Sequence, residues 1–183
     1  MVRTYKQTRE HYQQLREVCY QHTLDQYKGS ISAFDLDEIS FGAAQTADSW
    51  KNVTEGAYRK SRSQWSWMSM YNNYSKEVKR FDIAVWQGGQ LCGLSYGIPT
   101  KRKTKLRLEL VEASPLSDNP LRNQLTTIVT SAAINYAMLL GADELRMMNP
   151  VNDKVVSYYK TLGYKPVKNR LGVTEYSSLK LEY

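Results

Sequence analysis

The stretch Asn152-Asp153-Lys154-Val155-Val156-Ser157-Tyr158-Tyr159-Lys160-Thr161-Leu162-Gly163-Tyr164 decides how this chain is read. Val155, Tyr158, Tyr159 and Leu162 stand at i, i+3, i+4 and i+7, which puts them on one face of a short helix. Gly163 offers the left-handed residue on which such a helix ends, and Asn152, or a residue beside it, suits the N-cap. The spacing predicts a helix from Asp153 to Leu162. Taken alone, it fits an ordinary amphipathic helix with a buried tyrosine pair as well as it fits a functional segment.

Reading outward from this helix, Glu144 to Met148 is a short strand. Before it, Leu125, Ile128, Val129, Ala132, Ala133, Tyr136 and Leu140 mark a helix that Gly141 ends. A polar, proline-containing loop from Ser114 to Asn123 leads into that helix. Further upstream, Phe81 to Trp86 and Leu91 to Tyr96 are apolar runs joined by Gln87-Gly88-Gly89-Gln90, where paired glycines supply the positive φ of a tight hairpin. Pro99 closes the second run, a basic tip follows, and Leu106 to Glu112 is the third strand of an antiparallel meander. Downstream, Val173 to Leu181 is a last strand.

The texture changes near residue 80. Between Thr8 and about Tyr27, Tyr12, Leu15, Cys19 and His22 recur at helical spacing, Asp35-Leu36-Asp37-Glu38-Ile39 is short and acidic, and Ala43 to Tyr74 reads as one or two helices. One domain over 1–183 is expected, with a helical part at 1–80 and the sheet-bearing part at 81–183. With 42% apolar and 23% charged residues the chain lies outside the disordered regime. Its two cysteines, Cys19 and Cys92, form no metal-binding spacing and read as apolar core residues of a reduced protein, and no metal is expected. No apolar run reaches membrane-spanning length, so a soluble, cytoplasmic protein is expected. Lys and Arg (25) exceed Asp and Glu (18), which favours anionic partners.

The Asn152 to Tyr164 segment resembles the signature of GNAT-type N-acyltransferases: Asn, two residues, a small apolar residue, two residues, an aromatic, Tyr, then three residues before Gly and an aromatic. Asn152, Val155, Tyr158, Tyr159, Gly163 and Tyr164 occupy those places, and the order of elements from Phe81 onward matches too. The resemblance implies an α/β (α+β) fold with a mixed, mostly antiparallel sheet flanked by helices. It also implies an acyl-CoA co-substrate, acetyl-CoA or a relative, an amine acceptor, and Tyr159 as proton donor to the departing thiolate. Carboxylates on the third meander strand often act as base in that family. Glu112 is the candidate here, with Glu109 the weaker alternative.

Cofactor-side contacts are expected from Val111, Ala113, Arg122, Asn123, Gln124, Asn152 and Tyr158. The family's loop before the long helix is glycine-rich so that backbone N–H groups can hold a pyrophosphate. The equivalent Leu121-Arg122-Asn123-Gln124-Leu125-Thr126 holds no glycine. Asn123 tolerates left-handed geometry and Arg122 can neutralise a phosphate directly. The acceptor would lie between the N-terminal helices and the sheet, near Asp35, Asp37 and Glu38 and the Trp65 to Tyr71 run, although Trp65, Met68 and Tyr71 also read as the buried stripe of a helix. Lys101, Arg102, Lys103, Lys105 and Arg107 form either a second anionic contact, nucleic acid among the options, or a solvated hairpin tip. Two further readings stand beside this one: within the enzyme class, a nucleic-acid base modifier resembling the phage Mom type, and outside it, a non-catalytic GNAT-fold binding protein.

Overall fold

A computed structural model describes residues 4–53 and 65–182. Its centre is a seven-stranded sheet in the order β1-β2-β3-β4-β5-β7-β6. The strands are β1 (Asp35–Asp37), β2 (Phe81–Gln87), β3 (Gln90–Pro99), β4 (Lys105–Ala113), β5 (Glu144–Met148), β6 (Lys165–Lys168) and β7 (Thr174–Lys180). All neighbours run antiparallel except β4 and β5, which are parallel. The mixed, mostly antiparallel α+β architecture is the expected one. The β2–β3 turn is built as its sequence dictates, with Gly88 at φ 57° and Gly89 at φ 79°, the positive pair a tight hairpin needs.

Five α-helices flank the sheet among the described residues: α1 (Tyr5–Tyr27), α2 (Phe41–Ser49), α3 (Trp67–Tyr74), α4 (Leu125–Leu140) and α5 (Asp153–Thr161). One core layer joins α1 and α4 to one face, through Cys19, Tyr20, Phe81, Ile83, Leu106, Leu108, Ile128, Val129 and Tyr136. On the opposite face α2, α3 and a 3-10 turn at Trp50–Asn52 bury Trp50 and Trp67 against Leu94 and Tyr96. Each fully buried side chain of this size contributes about 1.5–3 kcal/mol relative to exposure.

Several expectations shift. The buried face of α1 is Tyr12, Arg16, Cys19, Tyr20 and Thr23; His22 is exposed. Arg16 enters because it is neutralised: its Nε lies 2.7 Å from Glu38 Oε1 and 3.6 Å from Asp82, and Arg80 joins both carboxylates at 3.0 and 3.2 Å. The acidic stretch at Asp35 is therefore partly a strand, β1, at the sheet edge, and Glu38 ties α1 to β2. Asp35 and Asp37 lie three strands from β4, away from the acceptor side expected for them. The helical reading of Ala43 to Tyr74 holds for α2 and α3, while 54–64 lies outside the described residues. Trp67, at 1% exposure, is the most deeply buried residue of α3, and the expected stripe of Trp65, Met68 and Tyr71 packs half-buried against the same layer. Strand β6 was not foreseen because Lys165-Pro166-Val167-Lys168 carries no two-residue alternation.

Candidate active site

Strands β4 and β5 pair only from Lys105–Glu144 to Leu108–Met147. Beyond that point they part, and the gap is a cleft of about 1090 Å³ lined by β4 from Leu108 to Ala113, by Met147 to Asn152, by Leu125 and Thr126 of α4, and by α5 through Tyr158 and Tyr159. Two local features open it. In β4, Leu108 pairs with Gly97 and Leu110 with Tyr96, so Glu109 is the extra residue of a β-bulge. After β5, Asn149 turns the chain at φ 46°, a left-handed conformation that asparagine tolerates.

The bulge also decides which way Glu112 faces. With uninterrupted alternation, Leu106, Leu108, Leu110 and Glu112 would share one face. The inserted residue reverses the parity: Val111 and Ala113 pack toward α4, Leu110 toward α2 and α3. Glu112 accordingly meets α3, where the Trp67 indole N–H donates to its Oε2 at 2.6 Å. It is 5% exposed and lines the cleft. The signal was present in the sequence, since the alternation of Leu106-Arg107-Leu108-Glu109-Leu110-Val111 breaks where two apolar residues adjoin. Glu109, at the bulge, is bound to Arg107 at 2.8 Å, and burial raises its carboxyl above the usual range.

On the other wall, Asn152 caps α5 by accepting the Val155 N–H at 3.0 Å, and Gly163 ends the helix at φ 88°. Tyr158 is half in solvent, while Tyr159 is 8% exposed, its ring 5.6 Å from that of Tyr164 in the core. Burial, with the neighbouring Tyr158, pushes the Tyr159 phenol up to about 12. No described residue hydrogen-bonds its hydroxyl, and the residue lines the cleft.

The start of α4 departs furthest from expectation. Arg122, Asn123 and Gln124 are exposed and lie outside the lining of the cleft. The loop before them is organised by Asn119, whose buried amide donates to the carbonyls of Cys92 (3.1 Å) and Ser114 (3.3 Å) and whose Oδ1 accepts the Leu121 N–H at 3.0 Å. The N–H groups of Arg122, Gln124 and Leu125 are also spent within the loop, on the carbonyls of Asn119 and Leu121. Gln124 makes no side-chain cap. Among the described residues, the N–H groups of Asn123, Thr126 and Thr127 have no intramolecular acceptor.

The glycine missing from the helix start is found beneath it. A Cβ on Gly93 of β3 would overlap the Leu125 side chain and stand 2.9 Å from the Glu112 carbonyl oxygen, so the bare backbone of β3 is what lets α4 begin so close to the sheet. Of the foreseen residues, the cleft gathers Glu109, Val111, Glu112, Ala113, Asn152, Tyr158 and Tyr159. Trp65, at the start of the run expected on the acceptor side, lines it too, and its unforeseen members include Leu125, Thr126, Met148 and Asn149. At the basic tip, Lys103 lies over the Tyr12 ring at 5.7 Å and Lys105 pairs with Glu144 at 3.4 Å.

No protein-family model matches the chain, and no curated protein matches it by sequence. Solved structures do. An acetyltransferase from Thermus thermophilus superposes with a TM-score of 0.62 at 13% identity, over 82% of this chain and 99% of that one. The ribosomal-protein-S18-alanine N-acetyltransferase of Escherichia coli gives 0.56 at 12% identity, over 82% and 96%. A putative acetyltransferase from Salmonella typhimurium, solved with its cofactor acetyl-CoA, gives 0.55 at 12%, over 82% and 95%. The chain has the GNAT fold. At these identities the likeness is one of architecture, and within the GNAT fold this chain is divergent at the helix start just described. No described helix is long and apolar enough to cross a membrane.

Proposed function

We propose that the chain is an N-acyltransferase that transfers an acyl group, acetyl being the simplest, from acyl-CoA to an amine by direct attack. The observation that carries this reading is the parting of β4 and β5 into a cleft with uncapped helix N–H groups on one wall and a tyrosine and a buried carboxylate on the others. Acyl-CoA supplies the activated acyl group. The N–H groups of Thr126 and Thr127, at the positive end of α4, suit its phosphates, with Arg122 and Asn123 beside them. Val111 and Ala113 stand on the part of β4 that runs past its pairing with β5 and line the cleft, where they offer backbone to the co-substrate. Glu112 accepts the proton that the attacking amine gives up, and the Trp67 N–H fixes its orientation.

The role of Tyr159 follows from its environment. A phenol at about 12 is a weaker acid than an alkyl thiol near 8.5, so complete proton transfer to a departing thiolate is uphill. Hydrogen-bond donation to the sulfur as negative charge develops is the contribution such a group makes. Calorimetric titration with acetyl-CoA tests the proposal: 1:1 binding supports it. Absence of heat at millimolar ligand refutes it and leaves the reading that the tightly self-bonded Asn119 loop favours, a GNAT-fold protein that binds a partner without catalysis.

A further inference from the structure

The two faces of the sheet are not covered alike. Among the described residues, the apolar layer beneath α2 and α3 ends at Leu110 and takes in no residue of β5, β6 or β7. On that side the strand register brings charged residues into rows. Arg107 of β4 is opposite Arg146 of β5, Arg146 opposite Ser178 of β7, and Ser178 opposite Lys165 of β6. The adjacent row runs Lys105, Glu144, Lys180. Five cations thus share one face across four strands, with Glu144 and Glu109 as its carboxylates.

The two carboxylates offset part of this charge, Glu109 pairing with Arg107 at 2.8 Å, and leave a surplus of three positive charges. Glu144 is buried and spends itself on Arg146 at 2.8 Å, Lys105 at 3.4 Å and Lys180 at 3.6 Å, holding three cationic side chains in place. The side chains of Arg107 and Lys180 remain 43% and 73% exposed, and Lys165 is exposed as well. An aromatic ring stands among them: Tyr176 lies under the Arg146 guanidinium at 4.2 Å. At about 4.8 Å between strands the cations span roughly 15 Å from β4 to β6, and the face meets the cleft at Glu109 and Met148, both part of the cleft's lining.

We propose that this open face of β4, β5, β7 and β6 is a binding surface for a single nucleic-acid strand. Fixed cations at strand spacing match a backbone of repeating phosphates, and a half-buried tyrosine capped by arginine offers a plane on which a base stacks. The net charge of +7 supplies the long-range attraction. Lys103, turned toward α1, takes no part. The surface is independent of acyl transfer and stands or falls separately from it.

The test is the salt dependence of binding to a fluorescent single-stranded oligonucleotide, measured by anisotropy. Phosphate contacts from Arg107, Arg146, Lys165 and Lys180 give a log–log slope of about −2.8, which is about a 50-fold loss of affinity between 50 and 200 mM salt. The double variant Lys165→Gln/Lys180→Gln, both residues exposed and Arg146–Glu144 left intact, is expected to fall to about half that slope and lose only about 7-fold over the same range. An unchanged slope in the variant overturns the proposal. So does light scattering that shows the face buried between two copies of the chain, with the dimer lost in the variant. Acetyl-CoA titration of the same variant reads the cleft separately, since neither lysine lines it.

Discussion

Replacing Gly93 by alanine puts a methyl group where α4 rests on the sheet. The new Cβ overlaps Leu125 Cδ2, stands 2.6 Å from Cδ1, and lies 2.9 Å from the Glu112 carbonyl oxygen. Leu125 is 1% exposed, so its methyls have little room to turn away, and they carry most of the cost of overpacking, about 2 kcal/mol, the β4 carbonyl adding the rest. For a chain of this size that is a fall in Tm of about 4–8 °C. Leu125→Ala alone leaves a cavity at a residue 1% exposed and costs about 3 kcal/mol. In the double variant the added methyl occupies part of the space vacated, so the two costs add to at least 1 kcal/mol less than their sum. Urea denaturation of the four proteins of this cycle measures the coupling. Additivity to within about 0.5 kcal/mol would refute the claim that Gly93 exists to seat the first residue of α4. The single Gly93→Ala variant should also bind acetyl-CoA less well than the double, because only in the single is the helix start displaced.

Two further outcomes are expected. Tyr159→Phe keeps the ring in its core position beside Tyr164 and removes only the hydroxyl, so turnover falls about 10²-fold with acetyl-CoA affinity little changed; steady-state kinetics with a measured Kd check this, and unchanged turnover would remove Tyr159 from the chemistry. Burial pushes the Glu144 carboxyl up, but the Arg146 and Ser178 hydrogen bonds and Lys105 outweigh it and hold the group at about 2 instead of 4.5. Its folded pKa being depressed, the stability it lends is complete above pH about 4.5 and drains as pH falls through about 2. Discounted for its solvent-exposed lysine partners, that is about 1 kcal/mol lost between pH 5 and 3, and urea midpoints should show this part of the acid slope missing in Glu144→Gln.

Much of the site was legible in sequence because its elements are locally coded. The Asn152 cap, the adjacent Tyr158 and Tyr159 and Gly163 lie within thirteen consecutive positions, and the cap and backbone bonds there reach residues at most five away. The environment of Glu112 was not legible, because Trp67 is 45 positions distant. Nor was the role of Gly93, which reads as an unremarked strand glycine until α4 is laid over it. The Asn149 contribution belongs with these, since it reaches the cleft only once the end of β5 is in place.

The amino-acid sequence by itself settled the kinds of elements and their order, because helix periodicity, caps and glycine turns depend on neighbours a few residues apart. Only the tertiary structure decided where β4 and β5 separate, which side of the sheet Glu112 occupies, and which cations share the uncovered face. Those follow from strand register, where one inserted residue at Glu109 exchanges the two faces of everything after it, and register is set by contacts between segments far apart in the chain.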